Sequence, residues 1–572
     1  MMLACHRFLL FALMLLCGTA WSPPSRADVL VICPDAFTDA IGRWIAYRTG
    51  QGHRIVLMAN DRSAFVLQKK IRDYATKRPV NAVVLIGDAR SGDVSQNLGG
   101  ACLQHCVPTH YRKATVITPY AGDRQIATDY PFGDVDGDDV AEIPVGRLPV
   151  DRPEDLMRMV QRIIDYESNS DFSPWRRQIN LVAGVGEFGP IIDSIIEGTT
   201  RAFLISKIPP AYRTTMTQAN WKSPYCPPPE QFRDTVLNRL NEGCLFWIYL
   251  GHGQIDSLDK VRVPGGQFPI LRNTDADRIA ANRGAPIALL CCCYAAAFDA
   301  PNDCLAEAML ESKAGPIAVI GGSRTTMPYG MTVLGEALIN QHFQKQQTTL
   351  GEILNNAKKH MVSDDAGGSN RIALDRLAGL LGNTKQQRTA ERREHAQLFN
   401  LLGDPLLKID ASRSVVVRAP RLVDQGATVT VEIDAPMKGL ATIEIVTRRG
   451  TFTTPLANRT HYDSSPDGRK EYLQSYKRAN DPRLDQQQWP VVKGLQTFTM
   501  QLPPDFSGPC HARVYIYGMQ QHAMGSTDIY VQQQKSPEQS VKRTDHANPS
   551  ADYSLRAVIN AAENQNSRLR SR

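Results

Sequence analysis

Past its first twenty residues the sequence has no apolar run approaching the ~20 residues that a bilayer-spanning helix needs, so no transmembrane segment is expected there. Aromatic residues make up only 7% of the chain. No basic stripe is interleaved with them, which argues against nucleic acid as a partner. The net charge is +7 over 572 residues, a small excess, and part of it falls in the C-terminal tail. No repeat at solenoid periods is visible. The stretch CLQHC (102–106) has no second CxxC-like half, so a zinc site on Cys102, Cys106, His105 and His110 ranks below a local disulfide between the two cysteines.

What is present fits an exported globular protein. Apolar residues account for 42% and charged residues for 22%, ordinary values for a soluble chain. The length exceeds what one core supports, so two to four domains are expected. His6 and Arg7 precede FLLFALMLLC, and small residues follow in GTA (18–20) and SRA (25–27). This is the pattern of a signal peptide over 1–27, cut after Ala27 or Ala20. A lipid anchor at Cys17 is disfavoured because Leu16 precedes it. Twelve cysteines are present, two of them in the leader. An oxidising compartment would pair some of the rest.

From residue 28 apolar strands alternate with helices. Strands are expected at 29–33, 53–58 and 80–88, and helices at 39–50 and 65–75. A helix after Asp151, with that residue as its cap and Pro153 in its first turn, buries Leu156, Met159, Val160, Ile163 and Ile164. A second block carries strands at 179–187, 244–250, 286–293 and 315–322, with helices at 230–240 and 275–283. Such alternation predicts an α/β fold with parallel sheets, in blocks over 28–170 and 175–412. From 413 to 533 the pattern becomes alternating apolar and polar, as in a half-buried antiparallel β-sandwich. The tail from 534 to 572 is polar and reads as disordered.

Two strands end on chemistry. CLFWIYL (244–250) runs into Gly251, His252 and Gly253, and PIALLCCC (286–293) ends on Cys293. In a parallel sheet their carboxyl ends share one rim, where open α/β sheets bind ligands. An imidazole beside a thiol suits nucleophilic catalysis. Glycines at 251 and 253 would let a substrate backbone approach, and the Gly253 amide could donate to an oxyanion.

These stretches resemble the gingipain family of cysteine peptidases, in the clan that also holds caspases and legumains. YLGHG matches the family's strand into His-Gly. Pro286 followed by Cys293 and Phe298 matches its nucleophile pattern. DVDGDDVAEIPVGRLPV (134–150), GPIAVIGGSRTT (315–326) and FNLLGDPLLKI (399–409) resemble further family segments in the same order. The resemblance covers about 29–533 and implies a caspase-like catalytic region followed by an immunoglobulin-like module.

It further implies Cys293 as nucleophile, His252 as its acid–base partner and Glu187 as the group orienting the imidazole. The amides of Gly253 and Cys293 would form the oxyanion hole. Gly251, Ser323, Arg324 and Asp193 are expected around the substrate, a protein or peptide. Family members favour Arg or Lys before the cut, but Asp193 and Glu197 stand against Arg324, so the preference stays open. Cys292 replaces the family's Ala before the nucleophile, and Ala296 a Gly after it. The first strand follows the leader directly, leaving no room for an inhibitory propeptide, and no sorting domain is evident in the tail.

Two other motifs are weaker. GVGEFG (184–189) matches a dinucleotide fingerprint but lacks the acidic residue on the next strand. Asp134, Asp136 and Asp138 have calcium-loop spacing, yet the twelfth position is Val145 rather than Glu. A structural calcium or a solvated acidic turn both fit, and no cofactor is required for thiol catalysis. The rival to a peptidase is a catalytically silent exported scaffold, adhesion or sorting protein.

Overall fold

The computed structural model describes residues 27–89, 104–118, 123–185, 207–364, 369–380, 382–456 and 458–533. Residues 1–26 of the proposed leader, Cys102 and the polar tail lie outside them.

Ten strands form one sheet: β1 (Asp28–Cys33), β2 (Arg54–Ala59), β3 (Val80–Ile86), β4 (Val145–Leu148), β5 (Gln178–Ala183), β6 (Arg213–Gln218), β7 (Phe246–Leu250), β8 (Ile287–Cys291), β9 (Ala318–Gly322) and β10 (Phe399–Leu402). Their order across the sheet is β2-β1-β3-β4-β10-β9-β8-β7-β5-β6. Both expected α/β blocks therefore belong to a single sheet. The central strands are apolar throughout because both faces are covered. In β1, Val29 and Val31 feed one core while Leu30 and Ile32 feed another on the opposite face.

The sheet is mixed rather than wholly parallel. β9 pairs antiparallel with β10, and Phe399 lies opposite Gly322. Between them the chain passes through α6 (Pro328–Phe343), α7 (Leu350–Val362), α8 (Ser369–Leu380) and α9 (Lys385–Leu398). It returns to the rim it left at Gly322 and so re-enters the sheet in the opposite direction. β10 is parallel to β4, so the two halves of the sheet run opposite ways.

The earlier helices are α1 (Gly42–Gly50), α2 (Ala64–Ala75), α3 (Pro153–Ser168), α4 (Phe232–Asn241) and α5 (Leu305–Glu311). α3 buries Leu156, Met159, Val160 and Ile163 as its periodicity requires, but its N-cap is Arg152, with no side-chain cap from Asp151. No α-helix forms over 275–283. A 3₁₀ segment spans Asn273–Arg278, and beyond it Ala280 and Ala281 pair with Ala314. Tertiary pairing has taken backbone groups that a helix would have used.

Residues 413–533 build two sheets with one shared core containing Val431, Ile443, Met500 and Val514. Most pairs are antiparallel, but the short strands Arg413–Ser414 and Leu422–Asp424 run parallel to His522–Gln532. The helix Pro466–Ala479 and the strand Arg483–Val491 were not foreseen from sequence. This region closes the β6 edge of the large sheet: the Asn480 side chain accepts from Met216 N at 2.7 Å and donates to its carbonyl at 3.0 Å. At the same junction Glu444 is fully buried between Arg177 (2.9 Å) and Arg513 (2.8 Å).

Among the described residues no helix is long and apolar enough to cross a membrane.

Candidate active site

β7 and β8 are adjacent and parallel, and Leu250 is the register partner of Cys291. Each is followed, two residues on, by the candidate side chain, so His252 and Cys293 leave the same rim from neighbouring strands. Neighbouring strands stand ~4.8 Å apart. The two segments pack closely. A carbon added at Gly253 would stand 2.6 Å from the Cys293 carbonyl oxygen and 2.8 Å from the Cys292 sulfur. Glycine at 253 is needed for that contact between strand ends.

The structure separates the three cysteines. β8 ends at Cys291, so strand alternation does not extend to Cys293 as expected. Cys291 and Cys292 are buried, and Cys293 is the one described cysteine that is partly exposed. Burial pushes the Cys291 thiol up to about 12. Burial, reinforced by Cys293 and Cys291, raises Cys292 well above the usual thiol range. Both are inert core thiols at neutral pH.

Immediately after Cys293 the chain reverses. Ala295 N donates to the Cys293 carbonyl at 2.7 Å, and Tyr294 between them has φ +59°. An i→i+2 bond around a positive-φ residue is the rarer, strained form of γ-turn. Strain of this kind in a non-glycine residue is characteristic of functional sites. The sulfur itself meets Thr326, whose backbone N–H donates to Sγ at 3.3 Å and whose hydroxyl lies 3.6 Å away. Thr326 sits just before Met327, the N-cap of α6, with Pro328 in the first turn. Thr326 lies in the quoted GGSRTT segment, but a backbone donor leaves no mark in sequence beyond the helix-starting Pro328.

Tyr249 pins the other partner: its hydroxyl donates to the His252 carbonyl at 2.7 Å. Burial, with Cys292 and Asp259 nearby, raises this phenol far above its ordinary value and keeps it a donor. Carbons added at Gly184 or Gly251 would each stand 2.6 Å from the Tyr249 hydroxyl. These glycines therefore make room for a tyrosine, where sequence reasoning assigned Gly251 to the substrate. Gly251→Ala is expected to lower kcat/KM by roughly ten- to a hundredfold by displacing the His252 segment. Adding Tyr249→Phe, which removes the obstructing oxygen, should restore part of the loss. A double-mutant cycle on kcat/KM checks this.

Other candidates are placed differently. Ser323 is fully buried, and its hydroxyl donates to the Ala127 carbonyl at 2.7 Å, so its side chain does not reach substrate. Arg324 is 9% exposed; its guanidinium bonds Asp299 at 2.8 and 2.6 Å and meets Asp123 at 3.1 Å. It buttresses the turn after Cys293, since its carbonyl also accepts from Tyr294 N. Glu187, Asp193 and Glu197 lie outside the described residues, as does most of GVGEFG.

The oxygens of Asp134, Asp136 and Asp138 lie within 4.8 Å of one another. Asp134 already holds Arg72 at 3.1 Å and the Gly137 amide at 2.7 Å. The loop is thus drawn together by the chain's own cation and amides, and the donor set fits a calcium ion only in part.

The model of peptidase family C25 matches residues 22–410, about two thirds of the chain. The chain belongs to peptidase family C25. Among solved structures it is similar to the Arg-specific cysteine proteinase gingipain R, at 17% identity and TM-score 0.49, over 89% of this chain and 99% of that one. It is similar at 17% identity to the complex of Porphyromonas gingivalis RgpB pro- and mature domains, with TM-score 0.47, covering 88% of this chain and 100% of that one. A structure described only as a protease matches at 14% identity and TM-score 0.50, over 88% and 97%. At such identities a likeness speaks to fold alone, and the described residues of this C25 chain form an α/β fold around one large mixed sheet. No curated protein matches the sequence.

Proposed function

We propose that this C25 chain is an exported cysteine endopeptidase with Cys293 as nucleophile and His252 as its acid–base partner. The observation that carries the reading is the β7–β8 register: it delivers both residues to one rim, with Cys293 alone of its triplet partly exposed. The imidazole takes the thiol proton, and the sulfur attacks the scissile carbonyl carbon. The amides of Gly253 and Cys293 receive the oxyanion, each such donor being worth ~3 kcal/mol in the transition state. The amine leaves with the proton from the imidazolium, giving a thioester. Water, deprotonated by the same imidazole, then releases the acid and restores the thiol. Glu187 is assigned to orient His252. No cofactor enters these steps.

The region 413–533 is assigned as an immunoglobulin-like module, a reading supported by its two sheets around one core. Residues 1–27 are assigned as a cleaved leader. Substrates are proteins or peptides, and the residue preferred before the cut follows from cleavage profiling of a peptide library.

Covalent labelling separates the peptidase from a silent scaffold. An acyloxymethyl ketone peptide under reducing conditions should modify Cys293 alone, located by mass spectrometry. Absence of label on Cys293 in the folded protein, across a panel of peptide sequences, would favour the scaffold.

A further inference from the structure

Helix α6 begins at the nucleophile, and its free N–H groups are met from α9. His395 on α9 is fully buried; its Nε2 accepts from Met327 N at 2.7 Å, and its Nδ1 lies 2.8 Å from the Glu391 carbonyl. One turn earlier on α9, the Glu391 carboxyl accepts from Gly330 N at 2.8 Å. Gly330 is pressed against the imidazole: a carbon added there would stand 2.4 Å from the ring. α9 therefore supplies the acceptors that helix starts usually draw from their own N-cap side chain, and Met327 has none to give.

We propose that His395 is a positioning residue for Cys293, acting through the Met327 amide to hold the Thr326 N–H on the sulfur. The two amides flank one Cα. Each peptide unit is planar, so fixing the Met327 N–H fixes one of the two torsions at Thr326. The other amide at that Cα is the donor to Sγ, at 3.3 Å.

The imidazole must be neutral to accept, and its surroundings keep it so. Burial pushes it down to about 4, against the smaller opposing pull of the Glu391 carbonyl and the Glu394 carboxylate. That carboxylate is itself held by the amides of Thr115, Val116 and Ile117. With the Nδ1 proton on the Glu391 carbonyl, the Nε2 lone pair is left facing Met327.

The inference rests on Cys293 as the reactive thiol, but its test does not require hydrolysis. In the full mature chain, iodoacetamide modification of Cys293 is followed by mass spectrometry from pH 6 to pH 10. His395→Phe keeps a ring and removes the acceptor; His395→Gln keeps an acceptor. The Phe variant should slow alkylation about tenfold at pH 6, as for loss of one hydrogen bond to a charged group, and leave the rate at pH 10 unchanged. The Gln variant should recover most of the pH 6 rate. If the Phe variant does not fold, Gly330→Ala displaces the ring without deleting it and should give the same profile.

An unmoved profile in a folded Phe or Gly330→Ala variant overturns the proposal. So does a Gln variant that labels as slowly as Phe. A Cys293→Ala protein that still cleaves peptides would instead refute Cys293 as the nucleophile, leaving the labelling result to stand on its own.

Discussion

Cys293→Ala is expected to reduce peptide hydrolysis by roughly 10⁴-fold or more, with the residue coming from substrate binding and oxyanion contacts. His252→Ala should cost nearly as much. The double variant should be little worse than either, because two groups that act in one step fail together. The neighbours supply the control. Cys292 is buried, with its thiol raised far above neutral pH, so Cys292→Ala should keep turnover within about tenfold and show its effect in the melting temperature instead. Initial rates on a fluorogenic peptide, read beside thermal melts, check all four proteins. Full activity in Cys293→Ala would remove the nucleophile from the scheme.

The second large effect lies about the junction with the β region. Glu444 is fully buried, and Arg177 and Arg513 both bond its carboxylate. Burial pushes its carboxyl up, but the two guanidinium groups outweigh burial and hold it down to about 2. Glu444→Gln leaves two buried cations without their anion, a change that typically costs about 3–5 kcal/mol.

The sign of the pH dependence follows from linkage. A carboxyl depressed on folding contributes stability that is complete above its unfolded value of ~4.3 and fades as pH falls toward 2. The gap between wild type and Glu444→Gln should therefore be widest at neutral pH and narrow between about pH 4 and pH 2. Denaturant melts across that range test it. A gap that stays constant as pH falls would show that the charge contributes nothing.

The parts legible in sequence were those with a one-dimensional signature. Strands buried on both faces read as unbroken apolar runs, which is why 244–250 and 286–293 led to adjacent strands whose chains continue into His252 and Cys293. The buried face of α3 followed from its 3.6-residue period. Strand direction has no such signature, so the antiparallel β10 could not be foreseen. The strand Arg483–Val491, with its run of glutamines, lies at a sheet edge and carries no apolar alternation to announce it. Gly184 and Gly251 were visible as glycines, but the tyrosine hydroxyl that requires them is set by packing. Ser323 and Arg324 sit in the right segment, yet their side chains turn to Ala127 and Asp299 rather than to the cleft. Donors such as the Thr326 amide are common to nearly every residue and become informative only in three dimensions.

The strand order carries one more implication. The first half reads β2-β1-β3-β4 and the second β6-β5-β7-β8-β9, the same winding traced twice, with the last strand of each half meeting at β10 and the halves running in opposite directions. The chain is laid out like two matched subunits fused into one polypeptide. In the first half the counterparts of β7 and β8 are β3 and β4, which run into Gly87-Asp88 and Pro149, with neither imidazole nor thiol at those positions. The molecule has the strand framework for two equivalent rims on opposite sides, and His252 and Cys293 stand at one of them.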